Sequence, residues 1–266
     1  MAADGLASHA RHVIGENPLT AAAFALFAMF IVLAVAGPWL APYDPLATDA
    51  AVAMQPPSMR HWFGTDSLGR DVLSRVMAAA RVDFGIALSA VLLSSVLGIG
   101  LGMLAGYYGG WFDRGVGRVG DTIMAFPLFV LATAIINLPF YLRVARAETN
   151  IRRDAGFIEA ARVTGNGTAR VLTFHMLPNI LPPAMVQISL NMGLAILNCA
   201  GLSFIGLGVR PPQPEWGIMV AEGAQYIVSG EWWVALFPGA VLMLAVFCFN
   251  LLGDGLRDII DPRRRT

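Results

Sequence analysis

The chain has 266 residues, of which 56% are hydrophobic and 14% charged, and its arginines balance its acidic residues to a formal net charge of zero. A soluble globular chain usually carries about a quarter of its residues charged, so this composition argues against an ordinary soluble domain, and balanced charge without a basic patch argues against nucleic-acid binding. No lysine occurs, so the loop G-x-x-x-x-G-K-[ST] is absent and ATP phosphates are not held here in that manner.

In chain order, residues 1–18 read as a cytoplasmic tail and Leu19–Leu40 as the first membrane helix. This apolar stretch is too long for a cleavable signal and reads as a retained anchor. Residues 41–81 form an external segment in which Arg60, Arg70, Arg75 and Arg81 balance Asp44, Asp49, Asp66 and Asp71. Within it, Thr65 or Asp66 is placed to cap a helix, and Arg70, Asp71 and Arg75 to pair along it at i,i+4 spacing. Its role is structural or a contact with an external binding protein.

Further apolar runs follow at Gly85–Tyr108, Thr122–Leu142, Asn179–Val209 and Trp232–Leu252, each free of charged residues. Every run supplies the roughly 20 residues a helix needs to cross a bilayer core, and none alternates as a barrel strand would. The fold class is therefore all-α, a polytopic transmembrane helix bundle. Pro38, Pro127, Pro139, Pro182, Pro183 and Pro238 lie in or near the runs and mark expected kinks. In the second run Ser94, Gly98, Gly102 and Gly106 recur every fourth residue and present a stripe of small side chains. Such a stripe lets another helix approach closely, within the subunit or across to a second one.

Arginine placement sets the expected orientation. Arg143, Arg146, Arg152, Arg153, Arg162 and Arg170 surround the segment 143–178, and Arg257, Arg263, Arg264 and Arg265 follow the last run; both regions are expected in the cytoplasm. The segment from Val209 to Glu231 carries Arg210 against Glu215, Glu222 and Glu231 and fits the outside. Counting sides then exposes a conflict: the third run would begin and end on the same side. The family resemblance given below implies two spans here, so the chain, which joins Leu131-Ala132 directly to Thr133-Ala134, reads as lacking about one span. The expected outcomes are a re-entrant pair of half-helices or inversion of the N-terminal half.

The most distinctive segment is Glu159-Ala160-Ala161-Arg162-Val163-Thr164-Gly165, followed by His175-Met176-Leu177-Pro178-Asn179. Asp154 is placed to cap a short helix over Ala155 to Thr164, Gly165-Asn166-Gly167 to end it, and Thr168 to cap the next turn. The two alanines would let a partner surface come close, Gly165 permits the turn, Glu159 offers an orienting charge, and Arg162 suits an acidic partner.

Neutral amides and a hydroxyl within the runs, Asn137, Gln187, Asn191, Asn198 and Ser203, are candidates to line a passage or to bond helix to helix. Gln187, Asn191 and Asn198 share one helical face. The four histidines are dispersed, His175 reads as a packing or capping residue, and no metal site is expected. Cys199 and Cys248 read as small packing residues. No carboxylate lies inside a run, which argues against proton-coupled transport and intramembrane proteolysis. The motifs H-E-x-x-H and G-x-S-x-G are absent.

The pattern E-A-A-x3-G-x9-H-x-L-P resembles the coupling loop of bacterial ABC importer permeases. Gly64-Thr65-Asp66 with Gly69-Arg70-Asp71 and Ser74-Arg75, Asn137-Leu138-Pro139-Phe140-Tyr141, Gly201-Leu202-Ser203-Phe204-Ile205-Gly206-Leu207-Gly208 and Pro214-Glu215-Trp216-Gly217 narrow it. Together they resemble the second permease subunit of dipeptide and oligopeptide importers, from about Pro18 to the final arginines. The resemblance implies a permease domain over 82–253, with coupling loop 143–178 and a cytoplasmic tail 254–266, in a multi-pass bacterial inner-membrane protein with both termini cytoplasmic. It implies a non-catalytic subunit without cofactor of its own, whose two partner ATPases bind ATP and Mg2+. A second homologous permease, a periplasmic or extracellular substrate-binding protein and membrane lipid complete the expected partners. Dipeptides or short oligopeptides are the implied cargo, with nickel as the alternative within the family. An autonomous channel or scaffold is the alternative outside it.

Overall fold

The computed structural model describes residues 17–125 and 133–260. The tail 1–16, Pro127, the Leu131-Ala132 side of the junction and Arg263, Arg264 and Arg265 lie outside the described residues. Eight helices occur among the described residues: α1 Pro18–Leu40, α2 Val72–Tyr108, α3 Gly110–Ala125, α4 Thr133–Arg152, α5 Gly156–Val163, α6 Thr168–Phe204, α7 Trp216–Ala224 and α8 Trp233–Ile260. The sole β feature among them is an isolated bridge between Thr65 and Asp71.

Four of these helices, α1, α2, α6 and α8, are long and apolar enough to cross a membrane. They match four of the five apolar runs, but α2 begins at Val72 rather than near Gly85, and α6 at Thr168 rather than near Asn179. Charge ends an apolar run; it does not end a helix, because exposed or paired arginines are good helix formers. The third run is divided between the end of α3, residues outside the description, and the start of α4.

By contact density the chain forms two units, one of residues 17–88 and 192–252, the other of residues 89–191 and 253–260. In the first, Asn17 caps α1 through Oδ1, which accepts the Leu19 and Thr20 amides at 3.1 and 3.4 Å, and Pro18 fills the first helical position. An aromatic core joins three helices: Phe30 of α1 stacks on Phe84 of α2, and both rings meet Trp216 of α7 edge-on. Phe249 of α8 packs on Phe84 and Phe27. Cys199 and Cys248 are buried and not joined in a disulfide, and the Cys248 thiol donates to the Ala23 carbonyl at 3.6 Å.

The segment between α1 and α2 folds against α7 and α8. Trp233 Nε1 donates to the Thr65 carbonyl at 3.2 Å, and Phe63 stacks on Phe237. Neither Thr65 nor Asp66 caps α2. Thr65 Oγ1 instead accepts the Gln55 amide and donates to the Val52 carbonyl, while Asp66 Oδ1 accepts the Leu68 and Arg70 amides of a tight turn. Asp71 takes the capping position, its Oδ2 accepting from the Ser74 amide at 2.8 Å and the Ser74 hydroxyl at 2.7 Å. Its Oδ1 lies 2.9 Å from His61 Nδ1. The expected Asp71–Arg75 side-chain pair is thus replaced, and Arg75 faces Asp66 and Glu222 instead.

In the second unit α3 and α4 form an antiparallel hairpin. Arg146 forms a bidentate pair with Asp113, and Arg143 Nη2 reaches Asp121 at 2.6 Å, so the later turns of α3 meet the earlier turns of α4. On its other side α4 lies parallel to α2 along the small-residue stripe. A Cβ added at Gly98 would come 2.7 Å from the Leu138 carbonyl oxygen, at Gly102 2.4 Å from that of Leu142, and at Gly106 2.8 Å from that of Arg146. Ser94 is buried and its hydroxyl donates to the Ala90 carbonyl of the preceding turn. Only a row of side chains this small leaves room for backbone contact of this kind.

Candidate functional site

The short helix α5 and the first turns of α6 make a compact knob. Their inner faces meet through Ile158 and Ala161 of α5 and Val171, Leu172 and Met176 of α6, all buried. Apolar residues three apart on α5 fall on one face, which is why so short a helix holds its position. Val171–Met176 winds as a π-helical turn, an uncommon geometry that often accompanies functional sites.

The start of α5 differs from the expected one. Asp154 does not cap it; its Oδ2 lies 3.2 Å from Arg153 Nε, and Ala155 occupies the cap position without a side-chain bond. Thr168 likewise lies inside α6, behind Gly167 as cap residue. The end of α5 follows the sequence. Gly165 adopts φ +84, its amide donates to the Arg162 carbonyl, and the Asn166 amide reaches back to Ala161. This paired pattern is a Schellman termination, and the left-handed position favours glycine.

Glu159, Ala160 and Arg162 are exposed, whereas Ala161 is 6% exposed and faces inward. Only Ala160 of the two alanines is therefore available to an outside surface, because adjacent helical positions diverge by about 100°. Phe157, Val163 and Phe174 add exposed apolar area around it. Arg162 is engaged within the chain: its guanidinium carbon lies 5.0 Å from the centroid of the Tyr107 ring, and its Nε donates to the Tyr107 hydroxyl at 3.2 Å. The knob is thereby tied to the last turns of α2.

The amide row is partly assembled. Gln187 Nε2 donates to Asn191 Oδ1 at 3.0 Å, and Asn191, fully buried, adjoins the Tyr141 hydroxyl. Asn137 is buried on α4, one turn before Tyr141. Asn198 is half-buried further along α6. Ser203 serves a local purpose: its Oγ accepts the Val209 amide at 3.2 Å, just past the end of α6. There Gly206 at φ +81 and the bond from Leu207 to Leu202 repeat the Schellman pattern. His175 is half-buried in the π-helical turn, and no cluster of metal-ligating side chains occurs among the described residues.

One polar constellation escaped the sequence reading. Asp83 and Glu215 are buried facing one another, and Asp83 Oδ2 accepts the Trp216 amide at 3.2 Å. Glu215 caps α7, its two oxygens accepting the Gly217 and Ile218 amides at 2.9 and 2.8 Å. Asp83 sits just before the second apolar run, so a search for carboxylates inside runs passed over it. The available signal was Glu215 directly before the Trp216-Gly217 start of a helix, a position where side-chain acceptors are favoured.

Several spanning-length helices, an exposed helical knob braced from within and buried amides on facing helices define a polytopic helical membrane protein. Comparison with known proteins agrees. Residues 98–266 match the family described as binding-protein-dependent transport system inner membrane component, and residues 8–57 match the N-terminal transmembrane domain of oligopeptide transport permease C. The chain is 38% identical to the probable D,D-dipeptide transport system permease protein DdpC of Escherichia coli over 93% of its length and 88% of that protein. It is 40% identical to the di/tripeptide transport system permease protein DppC of Pseudomonas aeruginosa over 91% and 87% of the two chains. It is 39% identical to the glutathione transport system permease protein GsiD of Escherichia coli over 92% and 86%.

The chain belongs to the binding-protein-dependent transport system inner membrane component family and is a membrane-spanning permease subunit of an ABC importer. The alignment with DdpC runs over 264 positions but uses only 93% of this chain's 266 residues, so the relative carries residues for which this chain has no counterpart.

Proposed function

We propose that this chain is one of two related permeases in an importer of dipeptides or short oligopeptides, driven by two separate ATPase subunits that bind ATP and Mg2+ and supplied by an external substrate-binding protein. The peptide cargo rests on the names of the relatives, whose transport systems are for dipeptides, di- and tripeptides, and glutathione. Gln187, Asn191 and Asn137 suit such cargo, because neutral amides offer donors and acceptors to a peptide backbone without selecting a side chain.

The observation that carries the mechanism is the division of α5 into a buried face, Ile158 and Ala161, and an exposed face, Glu159 and Ala160. A partner pressing on the exposed face moves the knob as a body. Arg162 on Tyr107 passes that motion to α2, and the continuous turn through Gly167 passes it to α6. Inward-open and outward-open states are then selected by ATPase closure, since a partner shifts such an equilibrium by binding one state better than the other.

Our reading of the sides follows from taking the α3–α4 hairpin to enter the membrane and return on the same face: four crossings by α1, α2, α6 and α8 would then leave 109–121 and the knob in the cytoplasm, together with both termini. We propose that the residues missing relative to DdpC fall at the Leu131–Thr133 junction.

The test is co-purification of the solubilised chain with its ATPase. Glu159→Lys and Gly165→Pro are expected to lose the ATPase while α6 stays folded by circular dichroism. Equal retention by the wild type and both variants would overturn the coupling role.

A further inference from the structure

Beside the knob, at the end of α2, lies a feature that the coupling mechanism does not use. Gly109 and Gly110 both adopt left-handed φ, +63 and +64, and turn the chain from α2 into α3. Around this turn is an open cavity of about 460 Å³ lined by Leu104, Tyr108, Gly109, Gly110, Trp111 and Phe112. The lining is aromatic and aliphatic apart from bare glycine backbone. Its rim carries Trp111, 80% exposed, and Tyr108, 62% exposed, the two residue types that collect at membrane–water boundaries because one end of each ring is apolar and the other wet.

The charges next to this groove are of one sign. Arg114 and Arg118 lie one and two turns beyond Trp111 on the same exposed face of α3, with Val119 beside them. The helix's own carboxylates are committed elsewhere, Asp113 to Arg146 and Asp121 to Arg143. Arg114 Nε donates only to the Gly110 carbonyl at 3.3 Å, and neither Arg114 nor Arg118 has an ion pair among the described residues. An apolar slot thus opens beside two uncompensated guanidiniums, which favour phosphate through parallel N–H donors.

We propose that this groove is a binding site for an anionic phospholipid, with an acyl chain in the slot between Leu104 and Phe112 and the headgroup phosphate on Arg114 and Arg118. The charge complement decides for lipid over an apolar protein segment. A helix packed into the slot would leave both arginines unanswered, whereas one phospholipid satisfies the apolar and cationic parts together. The proposal rests on the cytoplasmic placement of α3 argued above. The bound lipid would brace the turn from which α3 departs, next to the Tyr107 contact of the knob.

The experiment uses the full chain in neutral detergent, titrated with phosphatidylglycerol or phosphatidylcholine, and read by native mass spectrometry and by tryptophan quenching with acyl-brominated forms of each lipid. Subtracting the signal of Trp111→Phe isolates Trp111 from the other tryptophans. Phosphatidylglycerol is expected to stay bound and to quench Trp111, with phosphatidylcholine at least tenfold weaker. Arg114→Gln with Arg118→Gln is expected to erase the difference, both side chains being exposed and outside the packed interior. Equal retention of the two lipids, or an unchanged preference in the double variant, overturns the proposal. So does loss of Trp111 quenching once the other transporter subunits are bound, which would assign the groove to a protein surface. Detergent-solubilised binding does not depend on sidedness, so labelling of Arg118→Cys in intact cells with an impermeant thiol reagent tests the placement of α3 separately.

Discussion

The guanidinium of Arg162 lies over the ring of Tyr107 and donates to its hydroxyl at 3.2 Å, joining the exposed helix α5 to the end of α2 across 55 positions of sequence. This is a side-chain bridge between the surface on which we propose the ATPase acts and a helix of spanning length. At an exposed site a cation–π contact contributes about 0.5–1 kcal/mol, too little to hold the knob in place but enough to bias two positions of it.

Tyr107→Ala is therefore expected to leave assembly with the ATPase intact and to lower substrate-stimulated ATP hydrolysis by roughly 3- to 10-fold, in line with a coupling energy on the order of 1 kcal/mol. Tyr107→Phe keeps the ring and loses only the hydroxyl, so its effect should be smaller. The measurement is the ATPase rate of the reconstituted transporter with and without loaded binding protein. Unchanged stimulation in Tyr107→Ala would remove the bridge from the mechanism.

The glycine stripe of α2 yields a prediction with an internal control. At Gly102 a Cβ would sit 2.4 Å from the Leu142 carbonyl oxygen and 3.0 Å from the Ala145 Cβ, so even alanine must push α4 away; at Gly100 nothing lies within 4 Å. Gly102→Ala is expected to destabilise the detergent-solubilised chain by about 1–3 kcal/mol. Gly100→Ala should be neutral or slightly stabilising, since alanine is the better helix former. Thermal unfolding of the two variants side by side makes the comparison.

Residues whose reason is local were the ones legible in the sequence. Gly165 ends α5 because its backbone is left-handed, and the period of Gly98, Gly102 and Gly106 indicates a close helix neighbour before that neighbour is known. What stayed hidden depended on distant partners. Asp71 rather than Asp66 caps α2, because Asp66 is drawn into a turn and toward Arg70; no pattern within the segment separates two acidic residues so close together. Ala160 and Ala161 look alike in sequence, and only the packing of Ile158 against α6 turns one outward and the other in. Asp83 lies just outside the second apolar run, and its partner Glu215 lies far along the chain, so no local pattern pairs the two acids.

The ionic group at the start of α2 is a case where removing one member should cost more than the member contributes. Asp66 Oδ2 lies 2.6 Å from Arg70 Nε and 3.6 Å from Arg75 Nε, and Glu222 Oε2 lies 3.2 and 3.7 Å from the Nη2 atoms of the same two arginines. Arg75 is 1% exposed. Asp66→Asn leaves Arg70 and Arg75 sharing Glu222 as their one acidic partner in the group and is expected to destabilise by about 3 kcal/mol, because a buried charge that loses a partner is costly. Adding Arg75→Met removes that charge, so the double variant should lose less than the sum of the two single losses. Additive losses in thermal unfolding would show that the four groups do not act together.

Asp83 and Glu215 differ in what they do, although both are buried carboxyls facing one another. Glu215 supplies two acceptors to the first amides of α7, which also holds Trp216 against Phe30 and Phe84. Asp83 accepts one amide, from Trp216, and one of its oxygens has no hydrogen-bond partner. Glu215→Ala strands two buried N–H groups and is expected to cost about 2–3 kcal/mol. Asp83→Asn retains an acceptor for Trp216, offers an N–H to Glu215 and removes one of two neighbouring acids. It should leave stability unchanged or raise it by about 1 kcal/mol. Peptide uptake by cells carrying each variant then separates structure from transport. Full uptake with Asp83→Asn means that the carboxyl serves packing alone, whereas lost uptake in a variant that unfolds at the wild-type temperature would give this acid a part in the transport cycle.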